Sequence, residues 1–327
     1  MRLATFNLES LDPVSRDGVT LAERAEILRP QLERLAADVL CLQEVNGQPG
    51  QAGAPRELSA LRQLLDGTRY AGYELTSSHG HKSGTIADVH NLVVVTRFPV
   101  LGTRQVRNDH VPAVQWQHLH AAPAASAPAP VEFDRPILAV TLDLGSGQHL
   151  HVINVHLRAP LAAPVPGQKD GAFAWRSVRG WAEGYFLSAL KRSGQALELR
   201  LLVEDLLDAA PHGDIAICGD FNAEDHETPL KIVVAGEEDT GSGRLSTRSM
   251  AILDRNIPAD RRFSVLHHGR KQMLDHIVVS RTLLSRFRTI EVHNETLTDE
   301  LVSYTRVQHP TGSHHAPLVA TFDVPST

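Results

Sequence analysis

Short, densely apolar runs punctuate this chain at residues 3–8, 39–43, 92–96, 137–144, 150–157, 215–219, 273–280 and 318–322. Runs of this length, rich in Val, Ile and Leu and bounded by turn residues, read as buried strands. Between them lie segments of helical period. Residues 20–37 place Leu21, Ala25, Leu28, Leu32 and Leu35 on one face, with Thr20 and Glu23 spaced as a capping box and Pro30 predicting a kink or break. A second helix is expected over 57–65. Residues 177–210 are mostly helical, with Gly184 and Gly194 as weak points. Gly145-Ser146-Gly147 turns 137–144 back onto 150–157 as a hairpin, and Phe98-Pro99 stops the run at 92–96. Strand hairpins on each side of helical segments predict an α/β chain with two sheets face to face and helices outside. With no internal repeat and no linker, residues 1–327 are expected to form one domain.

A chain of 327 residues fits one large α/β domain or two average ones. No apolar run approaches the roughly 20 residues of a membrane span. The opening MRLATFNLES lacks the basic-then-apolar pattern of a secretory leader, so a cytoplasmic protein is expected. Cys41 and Cys218 lie in apolar runs and read as buried free thiols. The formal charge of −6 argues against a large basic surface while leaving room for a local basic groove. Residues 121–130 (AAPAASAPAP) are low in complexity and are expected to be a mobile surface loop.

The strand ends carry the chemistry. Asn7, Glu44, Asn154 with His156, Asp220 with Asn222, Asp275 with His276, and His314-His315 all stand at or just beyond the ends of apolar runs. A single glutamate after a strand is ordinarily a solvated charge. A set of acids, amides and imidazoles repeated at so many strand ends reads as a site held on a rigid core.

In this order, TFN (5–7), LQEV (42–45), NVHL (154–157), GDFNAE (219–224), LDHIVVS (274–280) and SHHAPL (313–318) resemble the endonuclease/exonuclease/phosphatase superfamily, the deoxyribonuclease-I-like fold, over nearly the whole chain. The resemblance implies a four-layered α/β sandwich of two packed mixed sheets flanked by helices, and divalent-metal-dependent hydrolysis of phosphate esters. Such esters are anionic and resist water, so a catalyst must neutralise charge and activate a nucleophile. Mg²⁺ does so with one or two carboxylates, substrate oxygen and water. By resemblance Glu44 is the principal metal ligand, and Asn7 supplies an amide oxygen or a hydrogen bond beside it. Asp220 orients or deprotonates the attacking water, and Asn222 donates to a non-bridging oxygen. Asp275 and His315 form a carboxylate–imidazole dyad, His156 contacts the phosphate or leaving group, and Asn91 and Arg97 are substrate contacts. His276 should point to the opposite face and be structural.

Two departures stand out. The terminal motif is ordinarily Ser-Asp-His, but here reads Ser313-His314-His315. Either His314 joins the metal, favouring Mn²⁺ or another transition ion over Mg²⁺, or it turns away. Residues 158–194 form an insertion with Lys169, Arg176, Arg179, Lys191 and Arg192 interleaved with Trp175, Trp181, Tyr185 and Phe186. It is either a substrate-facing lid, with Arg176 as a contact, or a helix packed onto the sandwich. The leading expectation is a phosphodiesterase or nuclease with a phosphate-ester substrate, nucleic acid included, and no evident obligate protein partner. A phosphatase or phosphodiesterase for a small metabolite or lipid headgroup, and a non-catalytic binding module, stay open.

Overall fold

The computed structural model describes residues 1–15, 18–81, 83–171, 174–300 and 311–324. The apolar runs pair as strands because each buries both faces or one. The first strands are Arg2–Leu11 (β1), Val39–Val45 (β2), Glu74–Ser77 (β3), Asn91–Thr96 (β4) and Val100–Val106 (β5). Val114–Trp116 (β6), Ala129–Val131 (β7), Ile137–Asp143 (β8), His149–His156 (β9) and Asp214–Asp220 (β10) come next. Ala251–Ile252 (β11), Val265–His267 (β12), Arg270–Gln272 (β13), Asp275–Val279 (β14), Phe287–Val292 (β15) and Leu318–Phe322 (β16) complete them. One six-stranded mixed sheet runs β15-β16-β1-β2-β4-β3 and a second runs β11-β14-β10-β9-β8-β5. The pairs β6–β7 and β12–β13 are separate two-stranded ribbons.

Alternate side chains sort into layers. Leu3, Cys41, Val94 and Leu318 of the first sheet share a core with Val140, Val152, Cys218 and Ile277 of the second, so the sheets pack face to face. On the outer face of the first sheet, Phe6, Leu40, Leu42 and Val93 pack under helices Leu21–Leu35 (α1) and Ser59–Leu65 (α2). Ile153, Val155 and Ile217 of the second sheet meet Val178–Ala209 (α3) and Thr228–Val234 (α4). The expected four-layered α/β sandwich is the architecture observed. Cys41 and Cys218 are buried free thiols. No helix among the described residues is long and apolar enough to cross a membrane.

Helix α1 carries the predicted capping box at Thr20 and Glu23 but runs unbroken through Pro30. Pro30 and Glu26 both lie on the exposed face, so the carbonyl that loses its helical partner meets water. The α3 glycines are not weak points either. A Cβ on Gly184 would meet the Ala163 carbonyl oxygen at 2.2 Å, and one on Gly194 would meet the Phe133 ring at 2.8 Å. They allow close approach of the helix to its neighbours, at a cost of about 1 kcal/mol of helix propensity each. Residues 121–130 are largely exposed, with Ala129–Val131 paired to Val114–Trp116.

A polar latch joins the two sheets beneath their functional end. Buried Asn154 on β9 donates from Nδ2 to the Leu42 and Val93 carbonyls (3.0 Å each). Its Oδ1 accepts from Gln43 Nε2 at 2.7 Å, and Gln43 in turn bonds Thr5. Fully satisfied, such a network fixes the sheets' relative register.

Candidate active site

Strand register brings the expected residues together. On the second sheet His156 lies opposite Asp220 in the parallel β9–β10 pair, and Asp220 lies opposite Asp275 in the antiparallel β10–β14 pair. Three neighbours in register present their side chains on one face. Gly219 is required beside them, since a Cβ there would meet the Val155 carbonyl oxygen at 2.0 Å.

The facing sheet contributes Asn7 and Glu44. β1 and β2 run parallel as far as Asn7 opposite Gln43, where the register shifts. Beyond this point Glu9, Ser10 and Glu44 adopt left-handed φ values of 51°, 53° and 57°; His90 and Asn222 do likewise at 57° and 49°. Such backbone costs about 1–3 kcal/mol per non-glycine residue. Its concentration around one pocket shows that local conformational preference yields here to side-chain placement.

The contacts are specific. Asn7 Nδ2 donates to Asp220 Oδ2 (3.1 Å), and the Asn222 backbone N–H donates to Asp220 Oδ1 (2.8 Å). His156 Nε2 lies 3.3 Å from Asp220 Oδ2 and 3.7 Å from Glu44 Oε1. Glu44 Oε2 accepts from the Ser10 amide (3.0 Å) and hydroxyl (3.2 Å). His315 Nδ1 bonds Asp275 Oδ2 at 2.7 Å, leaving Nε2 3.9 Å from Asp220 Oδ2. The Ser313 hydroxyl donates to the Asn7 carbonyl at 2.8 Å, docking this last segment onto β1.

These neighbours set the protonation states. Burial alone would raise Asp220, but the charges of His315 and His156 and the Asn222 amide bring it down to about 2. Burial likewise opposes ionisation of Glu44, yet His90, His156 and Arg135 hold it well below the usual carboxylate range. Burial and Arg135 lower His156 from the ordinary histidine value, against the pull of Asp220 and Glu44. His315 goes the other way: burial is outweighed by Asp275 and Asp220, with Glu9 adding to them, and its pKa stands well above the ordinary histidine value. Two neighbouring histidines of one site are thus shifted in opposite directions.

Four expected site residues sit elsewhere or are otherwise engaged. His314 turns to Glu9, its Nδ1 2.8 Å from Glu9 Oε1 and its amide donating to Oε2 at 2.8 Å, because the left-handed turn after Asn7 swings Glu9 under the terminal segment. It is not among the residues that gather around Asp220. Asn91 is buried, and both its amide hydrogens go to backbone, at Val45 and Ala87, so it pins a loop. Arg97 comes after the far end of β4, where β2 and β4 pair antiparallel with Thr96 opposite Val39. There it salt-bridges Asp38 at 2.5 Å. Arg176 is exposed and bonded to Asp170 and the Gly167 carbonyl within its own loop. For Asn7, the amide oxygen accepts from the Glu9 amide (2.9 Å), so its contribution is the hydrogen bond to Asp220. His276 is structural as expected: fully buried, it bonds Asp254 (3.0 Å) and the Ala223 carbonyl (2.9 Å), bracing the turn that carries Asn222.

In the insertion, residues 172 and 173 lie outside the described residues. Arg192 donates to the Asn222 carbonyl, which places that turn of α3 level with the site. The helix runs about 20 Å from Arg192 back to its start, and along this stretch Glu183 accepts from Trp116 Nε1 and the Leu119 and His120 amides. Phe186 packs on Trp116, while Trp181 and Tyr185 remain about half exposed.

Sequence reasoning missed Arg135 and His90. Arg135 donates to the Leu157 carbonyl (3.2 Å), and the charges of Glu44 and Asp220 act on it while burial lowers its pKa. Arg158 and Lys191, tethered to Asp134, extend this basic edge. No motif marks Arg135; only packing places it. His90 stands visible beside Asn91, but its role depends on a left-handed turn.

The donor set suits a divalent cation. Among the described residues, Asp220, Asp275 and His315 bring ligand-type atoms within 4.8 Å of one another. The 2.7 Å bond between His315 and Asp275 marks that trio first as a hydrogen-bonded dyad beside a carboxylate. Ionised Glu44 offers Oε1, which accepts no hydrogen bond from a described residue. The buried nitrogens His90 Nδ1 and His156 Nδ1 also lack hydrogen-bond partners. Such unsatisfied buried atoms are costly unless a ligand or ion compensates them.

A family model described as "Endonuclease/Exonuclease/phosphatase family" matches residues 4–299. No curated protein matches the chain. Similar solved structures include an endonuclease/exonuclease/phosphatase from Bacteroides vulgatus, 16% identical, covering 99% of this chain and 98% of that one, with a TM-score of 0.57. Truncated TDP2 from Caenorhabditis elegans is 15% identical over 99% of this chain and 97% of its own, with a TM-score of 0.57. An AP endonuclease from Archaeoglobus fulgidus is 16% identical over 99% and 100%, with a TM-score of 0.52. At these identities the likeness is one of fold.

Proposed function

Since this chain belongs to the endonuclease/exonuclease/phosphatase family, a family of phosphoester hydrolases, we propose that it is a divalent-metal-dependent phosphodiesterase acting on nucleic acid or a similar diester. The observation that carries this reading is the convergence of Glu44 and Asn7 from one sheet on His156, Asp220 and Asp275 from the other. His315 closes the constellation from the terminal segment.

Glu44 would hold the cation, Mg²⁺ by family expectation, which supplies charge neutralisation at the phosphoryl group and a more acidic water. Asp220, ionised and steered by Asn7, is the base that orients the attacking water and accepts its proton. His315, positively charged and aligned by Asp275, faces the phosphoryl oxygens and stabilises charge as the transition state forms. Arg135 adds a second fixed cation from the opposite edge. One hydrogen of the Asn222 side-chain amide, on Nδ2, goes to the Leu157 carbonyl (3.0 Å), and the other is assigned to the phosphate. His156 lies between the two carboxylates and is assigned to the leaving-group side.

The basic edge of Arg135, Arg158 and Lys191 favours a diester with flanking phosphates. A small phosphorylated metabolite remains the second reading, supported by the net charge of −6. The contact of Arg192 with the Asn222 carbonyl supports the lid assignment for 158–194. The inter-sheet core supports a single domain, and the two free thiols agree with a cytoplasmic location. The test is hydrolysis of bis-p-nitrophenyl phosphate against p-nitrophenyl phosphate, each with Mg²⁺, Mn²⁺ or EDTA. Diester cleavage that EDTA abolishes is expected. Turnover of neither ester with any ion would leave a binding module.

A further inference from the structure

His90 stands where nothing in the motif pattern calls for an imidazole, directly before β4 and on a left-handed backbone of φ 57°. Its amide donates to Asn46 Oδ1 (3.1 Å), which fixes the turn and directs the ring inward. The ring meets that of His156 edge to face, with centroids 6.5 Å apart. Its Nδ1 is buried, has no hydrogen-bond partner, and lies 3.6 Å from Glu44 Oε2. That separation is too long for a hydrogen bond. On the other side of the same carboxylate, His156 Nε2 lies 3.7 Å from Oε1.

His90 Nδ1, unpartnered and 3.6 Å from the Glu44 carboxylate, stands close enough for both residues to reach one ion. We propose that His90 is a ligand, with Glu44, of the site's divalent cation, and that this imidazole selects Mn²⁺, Co²⁺ or Zn²⁺ over Mg²⁺. The preference comes from donor chemistry: imidazole nitrogen suits first-row transition ions, whereas Mg²⁺ takes oxygen. The nitrogen donor that the sequence suggested at His314 is thereby supplied from the turn before β4, because His314 is bonded to Glu9. This inference rests on the metal-dependent reading above.

The experiment is direct binding, without substrate. Wild type, His90→Asn and His90→Gly are titrated with Mg²⁺ and Mn²⁺ by calorimetry, and with Co²⁺ by visible absorption. Asparagine and glycine both accept left-handed backbone, so the fold should survive, as circular dichroism would check. Wild type should bind Mn²⁺ and Co²⁺ more tightly than Mg²⁺. Both variants should lose about tenfold or more in Mn²⁺ and Co²⁺ affinity, with an altered Co²⁺ spectrum and a much smaller change for Mg²⁺. If wild type binds these ions and both variants keep its affinities and spectrum, His90 is not a ligand while the hydrolytic reading stands. Absence of divalent binding by wild type would overturn both.

Discussion

Replacing Asp220 by asparagine conserves shape and removes one charge at a point where both carboxylate oxygens are engaged. Asp220 Oδ1 accepts from the Asn222 amide at 2.8 Å, and Oδ2 accepts from Asn7 Nδ2 at 3.1 Å. An asparagine has one oxygen and one NH₂ group, so either orientation sets donor against donor at one of these contacts. A buried donor left without an acceptor costs about 1–3 kcal/mol. At roughly 2 °C per kcal/mol for a chain of this size, the unfolding midpoint should drop by about 2–6 °C. The chemical loss is larger. Removing a positioned base is worth about 10²- to 10⁴-fold, or about 2.7–5.4 kcal/mol of barrier. The two effects separate experimentally: thermal unfolding in EDTA reads the first, and diester hydrolysis at saturating metal well below the midpoint reads the second. Turnover of Asp220→Asn within about threefold of wild type would refute the assignment of Asp220 as the base. An unchanged midpoint would refute the hydrogen-bond geometry.

His314→Asp should destabilise the metal-free protein, because it replaces a partner of the Glu9 carboxylate by a second anion. A loss of about 1.5–3 kcal/mol is expected, and an unchanged or higher unfolding midpoint in EDTA would show that His314 does not rest on Glu9. The pKa of His315 is raised by Asp275, Asp220 and Glu9, so its charge persists through neutral pH and is lost as pH rises through the elevated pKa. The diester pH–rate profile of wild type should therefore fall on the alkaline side. His315→Asn should lower the rate about 10²-fold or more and remove the limb that belongs to this group. A persisting limb at the same pH would assign it to another residue.

Much of this architecture is legible along the chain. The apolar runs become strands within two or three residues of their expected limits, since burial on a pleated surface leaves a local signature. The capping box of α1 is legible for the same reason. Pro30 and the glycines of α3 mislead, because whether a helix tolerates them depends on solvent on one face and on Ala163 and Phe133 on another. Of the site, the motifs name Glu44, His156, Asp220, Asp275 and His315, and folding brings all five together. Arg97 and Asn91, judged by their position on a strand, look like substrate contacts, although one end of β4 faces away and the other is tied to backbone.

Residue order alone establishes the layered class, the family resemblance and the stock of acids, amides and imidazoles from which a site is drawn. Only the folded chain decides which of the histidines meets which carboxylate. A one-residue slip in a strand exchanges its two faces, and a single left-handed residue redirects the side chain that comes after it. That is why His314 lies against Glu9 while His90 reaches Glu44, and why Arg135, with no motif around it, stands in the field of two site carboxylates.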